Sequence, residues 1–193
     1  PFYIILIILF LKISNIPYEN FKIGADVINF MLGPVTVVLA VPLYRQFDLL
    51  KKHFKEILVG ILGGVITSFI IVVLIGKLTS TSNEIIYSMI PKSITTPMGI
   101  SLVNQLGGVV SITVVCIIVT GIFGNIFAEQ LLKIGRVNHP VAKGIAIGTS
   151  AHALGTSKAL EIGEVEGAMS SLSIGISGIM TVIIVPILMN FIK

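Results

Sequence analysis

The stretch Ile57–Gly76, ILVGILGGVITSFIIVVLIG, holds twenty residues without a charge. At 1.5 Å of rise per residue such a helix is about 30 Å long, the thickness of a bilayer's hydrocarbon core. Two further windows, residues 93–128 and 167–192, are equally uncharged and long enough to hold a span. The whole chain agrees with these windows: 54% of its residues are hydrophobic, 11% are charged and the mean hydropathy is +1.03. A soluble domain carries about 25% charged residues to wet its surface. Here lipid must cover what charge does not, so the sequence predicts an all-α, polytopic membrane protein and excludes a water-soluble globule.

Outward from that span, the chain divides into apolar segments and short polar connectors. Phe2 to about Ser14 reads as a first span. It starts at Pro1 without a Met and lacks the basic leader and cleavage site of a signal peptide, so an N-terminally truncated chain is expected. Val27–Tyr44 is an apolar segment interrupted by Gly33, Pro34 and Pro42. After Ile57–Gly76, residues 84–106 form two short apolar pieces around PKSITTP, neither able to cross alone, and a re-entrant hairpin is expected, with one broken span as the alternative. Val109–Leu132 reads as a clean span, Pro140–Leu160 as a span with a polar, glycine-rich middle, and Ala168–Phe191 as the last span.

Loop charge predicts orientation. Arg45, Lys51, Lys52 and Lys55 form one basic connector and Lys133 and Arg136 another, both expected in the cytoplasm. The connectors at residues 15–26, 79–84 and 161–166 are expected on the opposite face, with Lys193 back in the cytoplasm. A shift of 115 residues lays Gly33 on Gly148, Leu39 on Leu154 and Gly60 on Gly175, and the order span, interrupted span, clean span recurs. One transmembrane domain over residues 1–193 is expected, built as inverted halves at about 1–78 and 107–193 with the hairpin 84–106 between them.

Three polar clusters fall at membrane depth: NFMLGPVT, PKSITTP and GTSAHALGTSK. Gly and Pro interrupt the helical ladder there, and the freed backbone groups must be buried in protein or line a wet cavity. Half-helix N-termini carry partial positive charge and suit anions. The candidate substrate-binding residues are therefore Asn29, Gly33, Pro34, Thr36, Lys92, Ser93, Thr95, Thr96, Gly148, Thr149, His152, Gly155 and Thr156. Lys92 is the sharpest of them, because an ammonium at depth needs an anionic partner such as a substrate or Asp26, although in a shallower segment it reads as a wet-loop residue. His152 is equally readable as a hydrogen-bond donor to substrate and as a packed structural residue. Asp26, Glu161, Glu164 and Glu166 are candidates for coupling or gating, the three glutamates also reading as a solvated loop. Glycines such as Gly60, Gly63, Gly121, Gly124 and Gly178 read as helix-packing positions. Cys116 lies mid-span as a small packing residue, and no metal-ligand spacing, cofactor motif or nucleophile triad is evident. The net charge of +4 sits in short connectors and is no nucleic-acid footprint.

The stretch GTSAHALGTSKALEIGEVEGAMSSLSIGISGIMTVIIVPIL closely resembles the C-terminal signature of the LrgB/CidB family, and LGPVTVVLAVPLY and PKSITTPMGISLVNQLGG resemble two further family blocks in the family's order. The resemblance covers the chain from about Asp26 onward. It departs where relatives commonly carry His-Gly-Ile-Gly-Thr and this chain has His152-Ala153-Leu154-Gly155-Thr156. It implies a multi-pass bacterial plasma-membrane protein, an antiholin-like partner of the LrgA/CidA holin-like proteins that modulates murein hydrolase activity and lysis. It implies equally a likeness to plant plastid glycolate/glycerate carriers and to bacterial members connected with pyruvate uptake.

Two functions follow as expectations, neither enzymatic. The leading one is secondary transport of a small monocarboxylate such as glycolate, glycerate, lactate or pyruvate, held by Lys92, the half-helix ends and nearby hydroxyls. The alternative is antiholin-like regulation of a holin-like membrane partner through helix–helix association. A plain membrane anchor ranks last, because polar, broken helices at depth are a costly way to build one. The expected partners are the bilayer, a small anion, an LrgA/CidA-like protein and further copies of the chain.

Overall fold

The computed structural model describes residues 2–31, 34 and 40–190. The chain forms two compact units, residues 1–41 and residues 42–193. The first contains α1 (Phe2–Ile13) and α2 (Tyr18–Phe30). Between them Asn15 takes φ 52°, a left-handed conformation that Asn tolerates better than most residues.

The longer unit begins with α3 (Ala40–Arg45) and α4 (Phe47–Lys52), which lead into α5 (Phe54–Leu78). Hydrophobic length makes α5, and Thr79 ends it by turning its hydroxyl back onto the Ile75 carbonyl at 2.9 Å. Then come α6 (Asn83–Met89), a 3-10 turn (Ile90–Ser93) and α7 (Thr96–Leu106). Pro91 lacks the N–H that would continue α6, Pro97 opens α7 with a preset φ, and Gly107 at φ 79° closes it. The rest is α8 (Val110–Ile134), α9 (Pro140–Ile162) and α10 (Glu164–Met189). Three of these, α5, α8 and α10, are long and apolar enough to cross a membrane. Their outward residues, among them Val59, Ile70, Leu74, Val115, Phe123, Leu131, Ile179 and Ile183, are exposed. So large an apolar girdle suits lipid rather than water, and the chain is an all-α membrane protein.

Two segments turn back on themselves. In the first, Ile86 packs against Gly76 near the end of α5, while Ser93 at the turn reaches Ser68, with hydroxyls 3.3 Å apart. Ser68 lies ten residues before Leu78, about 15 Å deeper along the helix. The chain then returns: the Val109 amide donates to the Ser88 hydroxyl at 2.7 Å, and the Thr113 hydroxyl donates to the Ser88 carbonyl at 2.7 Å. Residues 84–106 thus enter and leave beside the same end of α5.

In the second, α9 breaks at His152, whose φ of 42° and ψ of −139° are non-helical. Its first arm runs alongside the start of α10, with Gly144 against Glu166 and Met169, and Gly148 against the Ser170 backbone. Its second arm runs back beside α8, with the Asn125 amide donating to the Leu154 carbonyl at 2.8 Å and Lys158 2.9 Å from Glu129. Val137 and Ile162, which bracket α9, pack in one cluster with Leu132 and Ala159.

The sequence reading laid Pro140–Leu160 across the membrane and put Glu161–Glu166 on the face opposite the basic connector. The structure corrects both. Glu164 lies 3.9 Å from Arg45, and α10 runs parallel to α5: Ala168 and Met169 pack with Ile57 and Ile61, Val185 and Met189 with Phe69, Val72 and Val73. The acidic connector shares a face with the basic one because its charges are paired there. The end of α10 therefore falls at the far end of α5, not at the basic connector, while Lys193 itself lies outside the described residues.

Candidate functional site

The two turn-backs bring their tips to one depth. A cavity of about 740 Å³ opens between α5 and the first arm of α9, and Ser68, Lys92, Ser93, Thr149 and Ser150 line its polar part. From there it runs past Gly60, Gly63 and Gly64 to His53, Glu56 and His139 beside the start of α5. The glycines matter as space: a Cβ on Gly64 would lie 2.7 Å from the Thr149 methyl carbon. Behind the cavity a void of about 10 Å³, the size of one water, is lined by the hydroxyl-bearing Ser68, Ser93, Thr149 and Thr181. A groove of about 430 Å³ along Phe123, Phe127 and Leu131 of α8 shares Lys92 and Ser150 with the main cavity.

Lys92 is half-buried and donates to the Ser93 hydroxyl at 3.1 Å. Among the described residues no carboxylate lies within ion-pair distance of it. Thr149 is buried, and its hydroxyl has no hydrogen-bond partner among the described residues. A buried hydroxyl left unpaired costs about 1–3 kcal/mol, and this one lies beside the one-water void. Chemically, the arrangement offers one ammonium and several hydroxyls, a donor set for a small anion.

The other expected site residues divide plainly. Thr95 caps α7 and Thr96 begins it, and neither lines these cavities. His152 is buried at the tip of α9 with Nε2 2.9 Å from the Ile117 carbonyl oxygen. A carbonyl only accepts, so Nε2 carries the hydrogen. The Thr156 hydroxyl donates to the His152 carbonyl at 3.0 Å and lies 2.7 Å from the Ser170 hydroxyl. Gly148 and Gly155 allow close packing, one against Ser170, the other against Ala151 and Ile147. Glu161 is exposed beside Lys158 at 3.1 Å, whereas Glu166 is buried 4.0 Å from Lys143. Asp26 and Pro34 are exposed in the first unit. Gly33, Thr36 and the side chain of Asn29 lie outside the described residues. Sequence reasoning missed Ser68 and Ser150. Ser68 sits in a span whose hydropathy hides a single hydroxyl, whereas Ser150 stood unremarked within the quoted GTSAHALGTSK.

Comparison with known proteins places the sequence among relatives. The LrgB-like family profile matches residues 2–191. The proteins named "Antiholin-like protein LrgB" from Bacillus cereus strain B4264, Bacillus cereus strain AH187 and Bacillus anthracis strain CDC 684 / NRRL 3495 are each 38% identical over 185 residues. Each alignment covers 96% of this chain and 80% of the relative. No solved structure matches.

Proposed function

Because this chain belongs to the LrgB-like family, we propose that it acts as an antiholin-like protein: a multi-pass protein of the bacterial plasma membrane that restrains a holin-like partner and thereby murein hydrolase activity and lysis. The observation that carries this reading is 38% identity over nearly the whole chain to proteins bearing that name. The fold supplies a surface for it. On α10 the exposed Gly175 is a position where a Cβ would meet nothing among the described residues, and exposed Ile179 follows one turn later. A small residue on a membrane helix lets a second helix approach closely, and association there rests on packing rather than on hydrophobic burial. The reading assigns the chain no catalytic role. Its test is co-expression with a holin-like partner: the two proteins should co-purify from membranes, and autolysis should slow. Unchanged autolysis at equal membrane levels of both proteins would refute it.

A second reading has its own observation. A cavity lined by an ammonium and a buried hydroxyl, neither with a carboxylate or other ionic partner among the described residues, supports a secondary carrier of small monocarboxylates such as glycolate, glycerate, lactate or pyruvate. Uptake of each of these four labelled acids into proteoliposomes tests it. Saturable flux supports the carrier, and its absence for all four acids with inserted protein rejects it.

A further inference from the structure

The chain makes one layout twice, in opposite directions. Each time a turn-back segment is followed by a long span, and residues fifty-seven apart hold matching places: Ser93 and Ser150 at the tips, Gly99 and Thr156 on the returning arms, Thr113 and Ser170 on the spans. Thr113 binds both arms of its segment, through its bond to the Ser88 carbonyl and its contact with Gly99. Ser170 does the same in its own segment, its backbone packing against Gly148 and its hydroxyl meeting Thr156. The first segment opens at the Leu78 end of α5 and the second at the Phe54 end. The spans that follow them, α8 and α10, run antiparallel.

We propose that residues 83–134 and 140–189 are inverted hairpin-and-span repeats whose two tips, meeting at Lys92, Ser93, Thr149 and Ser150, form one binding site for a small monoanion. This pairing replaces halves at 1–78 and 107–193. The site rests on the carrier reading, and the repeat does not. Two features converge on a ligand of one negative charge. Among the described residues Lys92 is the one Lys or Arg lining the main cavity, and no carboxylate lies within ion-pair distance of it. The Thr149 methyl is turned toward Gly64, and its hydroxyl is buried without a hydrogen-bond partner among the described residues. A second carboxylate on the ligand would be desolvated with no further ammonium to meet it, and Glu56 stands at the mouth. In this structure the site is reached from the His53 and His139 side.

The test uses the full chain with Cys116→Ser and single cysteines at Ser82, Gln105, Asn138 or Glu161, labelled by an impermeant maleimide in oriented vesicles. Ser82 and Gln105 should label from one face, Asn138 and Glu161 from the other. Asn138 and Glu161 labelling from opposite faces would overturn the repeat. With the reporter Ala146→Cys, which lines the cavity one turn from Ser150, lactate should slow labelling at least several-fold and succinate should not. Lys92→Gln should abolish that protection. Absence of protection by lactate, or protection that survives Lys92→Gln, would overturn the site. Protection without uptake would leave the site standing and reject the carrier.

Discussion

His152 Nε2 donates to the carbonyl oxygen of Ile117 across 2.9 Å, and this bond fixes the tip of one turn-back segment to the middle of the neighbouring span. Ile117 also lies under Gly99, on the returning arm of the other segment. One residue of α8 thus touches both turn-back segments. Its bond to His152, with that from the Thr156 hydroxyl to the His152 carbonyl, holds the turn against its unfavourable φ.

His152→Ala removes the bond and leaves the Ile117 carbonyl with its helical partner alone, a loss of about 0.5–1.5 kcal/mol. His152→Gly loses the same bond but relieves the left-handed backbone, so it should be less destabilising than Ala by about 1 kcal/mol. Denaturant unfolding of the detergent-solubilised protein measures both. An Ala variant as stable as the Gly variant would show that the backbone at residue 152 is unstrained.

Thr156→Val keeps the side-chain volume and removes the hydroxyl that joins His152 and Ser170, with an expected loss of about 1 kcal/mol. Combined with Ser170→Ala, the two losses should fall short of additive, because each substitution breaks the same bond. A double-mutant cycle reads the difference, and strict additivity would remove the pair from the account.

Two glycines should behave oppositely. Gly148→Val drives a side chain into the Ser170 backbone and should cost about 1–3 kcal/mol or prevent folding. At Gly175 an added Cβ meets nothing among the described residues, so with Gly175→Leu the protein should insert and fold normally while its restraint of a holin-like partner weakens. Size-exclusion profiles establish folding, and autolysis rates establish the effect. Equal damage to folding by both substitutions would contradict the packing described.

Lys92→Gln separates the two functional readings. The carrier requires loss of lactate uptake with insertion unchanged, and partial recovery in Lys92→Arg. The antiholin-like role alone leaves autolysis control intact in both variants. Uptake and autolysis measured on the same variants decide between them.

The spans were legible because hydropathy over some twenty residues is a strong, local signal, and Ile57–Gly76, Val109–Leu132 and Ala168–Phe191 stand in the structure as α5, α8 and α10. The turn at His152 was not. Pro140–Leu160 is long enough to cross, and nothing in Ala151-His152-Ala153 announces a left-handed residue. The orientation of Glu161–Glu166 was misread for a related reason. Loop orientation follows Lys and Arg rather than acidic charge, and these glutamates are matched by Arg45, Lys143 and Lys158 from elsewhere in the chain. Lys92, Ser93 and Thr149 were legible as polar groups at depth. Their convergence with Ser68 and Ser150 depends on two tips meeting, which spacing along one chain does not encode.

The most direct measurement is dye release from vesicles that contain a purified holin-like partner, with and without this chain inserted at equal protein density. The account predicts that the wild-type chain suppresses release and that Gly175→Leu does so less. Release unchanged by the wild-type chain, with insertion verified, would contradict it.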